Sequence, residues 1–129
     1  MNELTPLESE ALRLLLDGKV EWLATLRQQA SRARVISRKL TGAGFFTRFS
    51  VPPDAPKVAN KASFRIGDVS ADINDLKYGA GFLLLVKDCL IDSLEGYSYE
   101  EPWPTTIHTF RVFYTSNGER DESALLNLY

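Results

Sequence analysis

GAGFLLLVKDCLIDSLEGYSYEEPWP, residues 79–104, reads as a buried strand, a tight turn, a second strand and an acidic, aromatic exit loop. The run Phe82 to Val86 is wholly apolar and short, which suits a strand covered on both faces. Leu90 to Tyr99 returns beside it. The two form a hairpin around Asp88-Cys89. Such turns usually carry Gly at the second position, so Cys89 there predicts a longer or non-standard turn.

Upstream of the hairpin, Phe64 and Ile66 share one parity, and Val69, Ala71 and Ile73 the other. The phase slips at Gly67-Asp68, as a bulge or turn would cause. Before it, Pro52, Pro53 and Pro56 make a loop running to about Lys61, the most mobile candidate inside the chain. Phe45, Thr47, Phe49 and Val51 alternate with Phe46, Arg48 and Ser50 as a half-buried strand, and Val35 to Leu40 reads as another. Gly-Ala-Gly-Phe occurs at both Gly42–Phe45 and Gly79–Phe82, which points to shared turn chemistry ahead of buried strands.

The first third of the chain has a different period. Thr5-Pro6-Leu7-Glu8 is a helix start: Thr5 caps, Pro6 suits the first helical position and Glu8 returns a bond to the cap. Leu7, Ala11, Leu14 and Leu15 give the apolar stripe, and Asp17-Gly18 ends it. A second helix runs from Lys19 to about Arg32 on Val20, Leu23, Ala24, Leu26 and Ala30. Downstream of the hairpin, Thr106 to Thr115 is apolar on both parities, which predicts a central strand. The last residues are a tail or a short helix carrying Leu125, Leu126 and Leu128. Helices first, then strands with no helices between them, predict an α+β fold. A helical hairpin (1–33) would pack on a mainly antiparallel sheet (34–115) of five or six strands, followed by 116–129, all in one domain.

The 129 residues are 44% hydrophobic and 25% charged, ordinary for a soluble globular protein. No stretch approaches a membrane span, and the acidic N-terminus lacks the basic-then-apolar order of a secretory signal. A cytoplasmic location with no membrane partner is expected. One cysteine, Cys89, excludes an internal disulfide and any multi-thiolate metal site. The net charge of -2 hides an asymmetry: 11 of the 15 Lys/Arg but only 6 of the 17 Asp/Glu fall in residues 1–66. Between Glu21 and Asp54 there are cations only. One reading has the two halves neutralising each other across strands. The other gives two charged faces that recruit partners.

Neither Gly-Ala-Gly string leads into a helix or a Gly-Lys-Ser/Thr, which disfavours nucleotide binding. The single histidine, His108, has no metal-ligand spacing around it. No cofactor, metal site or catalytic residue is assigned. Asp92, Glu95, Glu100 and Glu101 are the densest acidic set, but one hairpin does not build the cleft that carboxylate catalysis needs. The basic run Arg27 to Arg48 lacks an RNA- or DNA-reading signature. The binding candidates are therefore Tyr97, Tyr99, Glu100, Glu101 and Trp103. Tyr and Trp are common interface anchors, and Pro102 and Pro104 stiffen the loop that carries Trp103.

The segments Leu40–Phe49 (LTGAGFFTRF), Gly79–Asp88 (GAGFLLLVKD) and Leu94–Pro104 (LEGYSYEEPWP) resemble segments of a small uncharacterised bacterial protein family. The hairpin ending in Leu-Glu-Gly-Tyr, with its acidic Trp-Pro exit, is loosely similar to strands of bacterial toxin-immunity proteins. The resemblance covers about half the chain. It implies a bacterial cytosolic α+β protein and transfers no site residues. The expected function is a non-enzymatic protein-interaction module of the immunity type, whose acidic rim favours a basic partner. A homodimer is left open. The alternatives are a small enzyme using those carboxylates or His108, and a nucleic-acid-binding accessory protein.

Overall fold

A computed structural model describes residues 3–59 and 63–126. Two helices, α1 (Pro6–Leu16) and α2 (Glu21–Arg32), precede six strands: β1 (Arg34–Leu40), β2 (Gly44–Ser50), β3 (Phe64–Ile73), β4 (Ala80–Lys87), β5 (Leu90–Ser98) and β6 (Phe110–Tyr114). A short helix, α3 (Glu122–Leu126), follows. The strands form one antiparallel sheet in the order β1-β2-β5-β4-β3-β6. This is the α+β architecture that the order of periodicities predicts.

α1 begins as its sequence dictates. The Thr5 hydroxyl accepts the Glu8 N–H at 3.1 Å, and Glu8 accepts the Thr5 N–H at 2.8 Å. Its far end is finished by distant residues. The carbonyls of Leu14, Leu15 and Leu16 accept from the Tyr114 hydroxyl, Arg120 and Arg27 at 2.7, 2.8 and 2.6 Å. These donors satisfy acceptors that a helix C-terminus leaves open, and the two guanidiniums also suit its negative pole. α2 starts at Glu21, two residues later than expected, with no side-chain cap of its own. Glu122 supplies one from across the chain, accepting the N–H groups of Lys19 (2.6 Å) and Val20 (3.1 Å). The tail is thus a short helix that fastens the α1–α2 turn, with Leu125 buried. The side chain of Leu126 and all of Leu128 lie outside the described residues.

Both helices lie on one face, α1 over β3, β4 and β6 and α2 over β5. Leu14, Leu15, Leu23, Phe45, Phe49, Phe64, Phe82, Leu84, Val86 and Leu94 are buried there, as their periodicity predicts, while Phe110 and Val112 pack at its margin. β3 is continuous through a bulge between Ile66 and Val69, where the phase slips.

The two Gly-Ala-Gly-Phe strings land at the same register on either side of β5. Phe45 and Phe82 flank Gly96, and Gly44 and Gly81 flank Tyr97. The two phenyl ring centroids are 6.4 Å apart, and the Phe45 ring uses the space a side chain at Gly96 would need. In each string the first glycine also has positive φ, 84° at Gly42 and 71° at Gly79.

Three expectations change. Residues 88–89 form a two-residue turn with both φ values positive, 53° at Asp88 and 69° at Cys89, between paired Lys87 and Leu90. Tertiary bonds hold the cysteine in this conformation: its carbonyl accepts from Gln29 (2.9 Å) and Val58 (3.2 Å). The proline loop, where it is described, is anchored by the same residues. Val58 and Ala55 are buried, and Gln29 donates to the Pro56 carbonyl at 2.8 Å. The last strand is not central. β6 pairs only with β3, as an edge. Its outward apolar residue, Phe113, is covered by the Arg111 guanidinium 4.6 Å away, not by another layer. Residues 106–109 lie outside the strand, where Asn74 holds them, its Oδ1 accepting the N–H of His108 and of Thr109.

Candidate functional site: a cleft beneath Trp103

The exit loop wraps the end of the sheet, so its candidate residues do not share one surface. Tyr97 points away from the helices and lies over Gly81, where a Cβ would meet its ring at 2.5 Å. Tyr99 packs edge-on against it, with centroids 5.7 Å apart, and is 45% exposed. Burial, with Tyr99 beside it, pushes the Tyr97 phenol up, so it stays neutral at physiological pH. Glu100 is exposed with a φ of 61°. Glu101 turns inward, and its two oxygens accept the N–H groups of Lys77 (2.9 Å) and Tyr78 (3.0 Å). Trp103 lies on the helix side. Its N–H donates to the Gly42 carbonyl at 2.8 Å, and its ring meets Phe45 edge-on at 5.6 Å.

Trp103 is one wall of a cleft of about 630 Å³, between the first turn of α1, the end of the β1–β2 hairpin and residues 103–110. Leu7, Leu40, Phe45, Ile107 and Phe110 supply the other apolar walls. The cleft exists because the helices stop short of this corner. β1 is exposed or half-exposed along its whole length, and Leu40 is 72% exposed although it belongs to the helix-side parity.

Its charged lining is Glu8 and Arg38, with His108 at the rim. Glu8 is 1% exposed. Arg38 grips it through Nε (2.9 Å) and Nη2 (2.6 Å), and the Thr47 hydroxyl and Thr5 N–H complete the set. Burial raises the Glu8 carboxyl, but the bonds from Arg38, Thr47 and Thr5 outweigh it and hold the group below its ordinary range. A carboxylate with both oxygens so occupied positions its neighbours and is poorly placed to move a proton. The His108 imidazole has no hydrogen bond or ion pair among the described residues. Asp92 and Glu95 lie on the opposite face of the sheet, Asp92 being 3.9 Å from Arg48. The acidic set therefore does not converge. Among the described residues no group of His, Cys, Asp and Glu is placed to hold a metal, and no helix is long and apolar enough to cross a membrane.

The basic run is neutralised differently from the cross-strand expectation. Arg32 pairs with Asp54, Arg34 with Glu3 and Arg38 with Glu8, all acids of the N-terminal half. Arg27 caps α1. Among the described residues, only the long Arg48–Asp92 contact links the run to an acid of the other half.

Sequence reasoning treated Glu8 as a cap and Arg38 as one of a run, and so missed the pair at the base of the cleft. A signal existed. Glu8 stands four residues before Leu12 and seven before Leu15, on the helix face that packs inward, where a charge needs a partner. No protein-family model matches the chain, and no curated protein or solved structure matches it either.

Proposed function

We propose that the protein is a non-enzymatic protein-interaction module whose binding element is the cleft beneath Trp103. The cleft itself carries this reading. It has the size of small-ligand pockets, its walls are apolar, and its one carboxylate is held by three partners. Such a site receives an apolar side chain more readily than it performs acid–base chemistry. Trp103 is an aromatic anchor on a proline-stiffened loop, which lowers the entropy lost on docking. The acidic rim expected to favour a basic partner has little support, since Glu101 is committed to the 77–78 turn and Glu100 does not line the cleft. The loose similarity of the hairpin ending in Leu94-Glu-Gly-Tyr97, with its acidic Trp-Pro exit, to strands of toxin-immunity proteins makes a toxin one partner class to try.

The test is affinity capture on the full chain with the partner identified by mass spectrometry, followed by calorimetry on the purified pair. Leu40→Asp places a charge on an exposed wall and should abolish binding while leaving the melt unchanged. Tyr99→Ala, on the opposite face, should leave affinity intact. The reverse pattern would move the interface to the Tyr97–Tyr99 face.

A further inference from the structure

We infer that β1 is a docking edge, and that its occupant is an extended segment of a protein partner that pairs with Arg38–Leu40 as a seventh strand. The inference rests on the cleft reading and names how the partner reaches the cleft. Thr41 N–H donates to the Gly44 carbonyl at 3.0 Å and closes the β1–β2 hairpin. By antiparallel alternation, Lys39–Phe46 is the next hydrogen-bonded pair, and the backbone N–H and C=O of Arg38 and Leu40 point away from β2. The other outward position, Val35, already gives its N–H to Glu3 at 3.3 Å, and Ile36 is bulged out of register. Among the described residues, the open edge is therefore the half of β1 that borders the cleft. Edge strands are ordinarily blunted or covered. β1 has its bulge at Ile36 and charges at Arg38 and Lys39, yet it ends in Leu40, the most exposed large apolar residue described.

The chemistry of the occupant follows from the flanking side chains. A residue beside Leu40 lies on the helix side, so an apolar one buries Leu40 and extends into the cleft. A residue beside Lys39 lies on the helix-free face. Lys39 has no ion pair among the described residues, whereas Arg34, Arg38 and Arg48 each have one. An acidic residue there complements it. A second copy of this chain fits poorly. A two-fold centred on Arg38 or Lys39 sets like charges opposite each other, and one centred on Leu40 runs into the Thr41–Gly44 turn.

Leu40→Pro separates the two readings, because it removes the outward N–H yet keeps an apolar rim, and proline is tolerated on an edge strand. A phage-displayed library of linear peptides is panned on the full-length protein and, in parallel, on Leu40→Pro. The best-enriched peptide is then synthesised. The expected peptide alternates apolar and acidic residues. It slows hydrogen exchange at the Arg38 and Leu40 amides, with Lys39 as the internal reference, and binds Leu40→Pro about tenfold or more weakly. Equal binding to Leu40→Pro, unchanged exchange at both amides, or no enrichment over the parallel panning would overturn strand addition. If Leu40→Asp abolishes binding of that peptide while Leu40→Pro does not, the cleft reading stands and the edge reading falls. Protection of the same amides by a single-stranded oligonucleotide in place of any peptide would assign the edge to nucleic acid instead.

Discussion

A methyl group at Gly44 would sit 1.8 Å from the carbonyl oxygen of Gly96, whereas one at Gly42 would meet nothing within 4 Å. The two glycines, two residues apart, are present for different reasons. Gly42 is needed for its φ of 84°, Gly44 for the close approach of β2 to β5. Gly42→Ala should cost about 1 kcal/mol, the strain of a left-handed alanine. Gly44→Ala should cost at least about 3 kcal/mol, because only backbone can give way. Urea melts of the two variants check this, and equal losses would place the β2–β5 register wrongly. Glu8 supplies a second test at this scale. Its folded carboxyl titrates below the unfolded one, so its stabilisation is fully present above the unfolded value near 4.5 and is lost as pH falls through the lowered folded value. Glu8→Gln should be less stable at neutral pH, and the gap to wild type should close below about pH 4. A gap that is constant with pH, in melts of both proteins between pH 3 and 7, would show that the Glu8 charge is not what Arg38 and Thr47 hold.

The elements were legible where one period ran long enough. The capping box, the helix stripes, the β3 slip and the β4–β5 hairpin all rest on contacts within a few residues or on simple alternation. What failed depended on distant partners. Cys89 adopts a left-handed turn position because Gln29 and Val58 hold its carbonyl, and both lie over thirty residues away. The strand carrying Phe113 looked central because stacking by Arg111 leaves no mark in the pattern. The cleft was half legible: Trp103 stood out, but its walls come from three separate stretches that only the sheet order brings together. The C-terminal fastening is the strongest case of distance. Arg120, whose side chain is 5% exposed, bonds both oxygens of Asp68 (2.9 and 3.0 Å) and also reaches the Leu15 carbonyl. Arg120→Ala should therefore cost about 2–4 kcal/mol, since it strands a half-buried carboxylate and reopens the end of α1. Arg111→Ala removes an exposed pair with Asp72 and should cost under about 1 kcal/mol. Similar losses in thermal melts of the two variants would mean that residues 119–126 do not fasten the helices.

Across the whole molecule the two halves carry opposite charge, yet much of that charge is committed to specific pairs and caps. Several acids of the C-terminal half act as caps and ion-pair partners: Asp68 for Arg120, Asp72 for Arg111, Glu101 for the 77–78 turn and Glu122 for the start of α2. In the N-terminal half, Arg34, Arg38 and Arg32 are met by Glu3, Glu8 and Asp54, and Arg27 is consumed at the end of α1. A phosphate-binding surface needs the opposite arrangement, several uncommitted cations on one face, because its affinity comes from counterions released by each neutralised phosphate. Here a nucleic acid would have to displace the carboxylates of Glu3, Asp54 and Asp92 to reach Arg34, Arg32 and Arg48. Filter binding of single- and double-stranded DNA and of RNA should therefore show at most weak retention near 50 mM salt, and none by about 200 mM. A triple charge-removal variant, Glu3→Gln, Asp54→Asn and Asp92→Asn, should bind more strongly with a steeper salt slope, because it frees those three cations. Retention by the wild-type chain that survives about 200 mM salt, or a triple variant that binds no better than wild type, would show that internal pairing is not what keeps the basic run from phosphates.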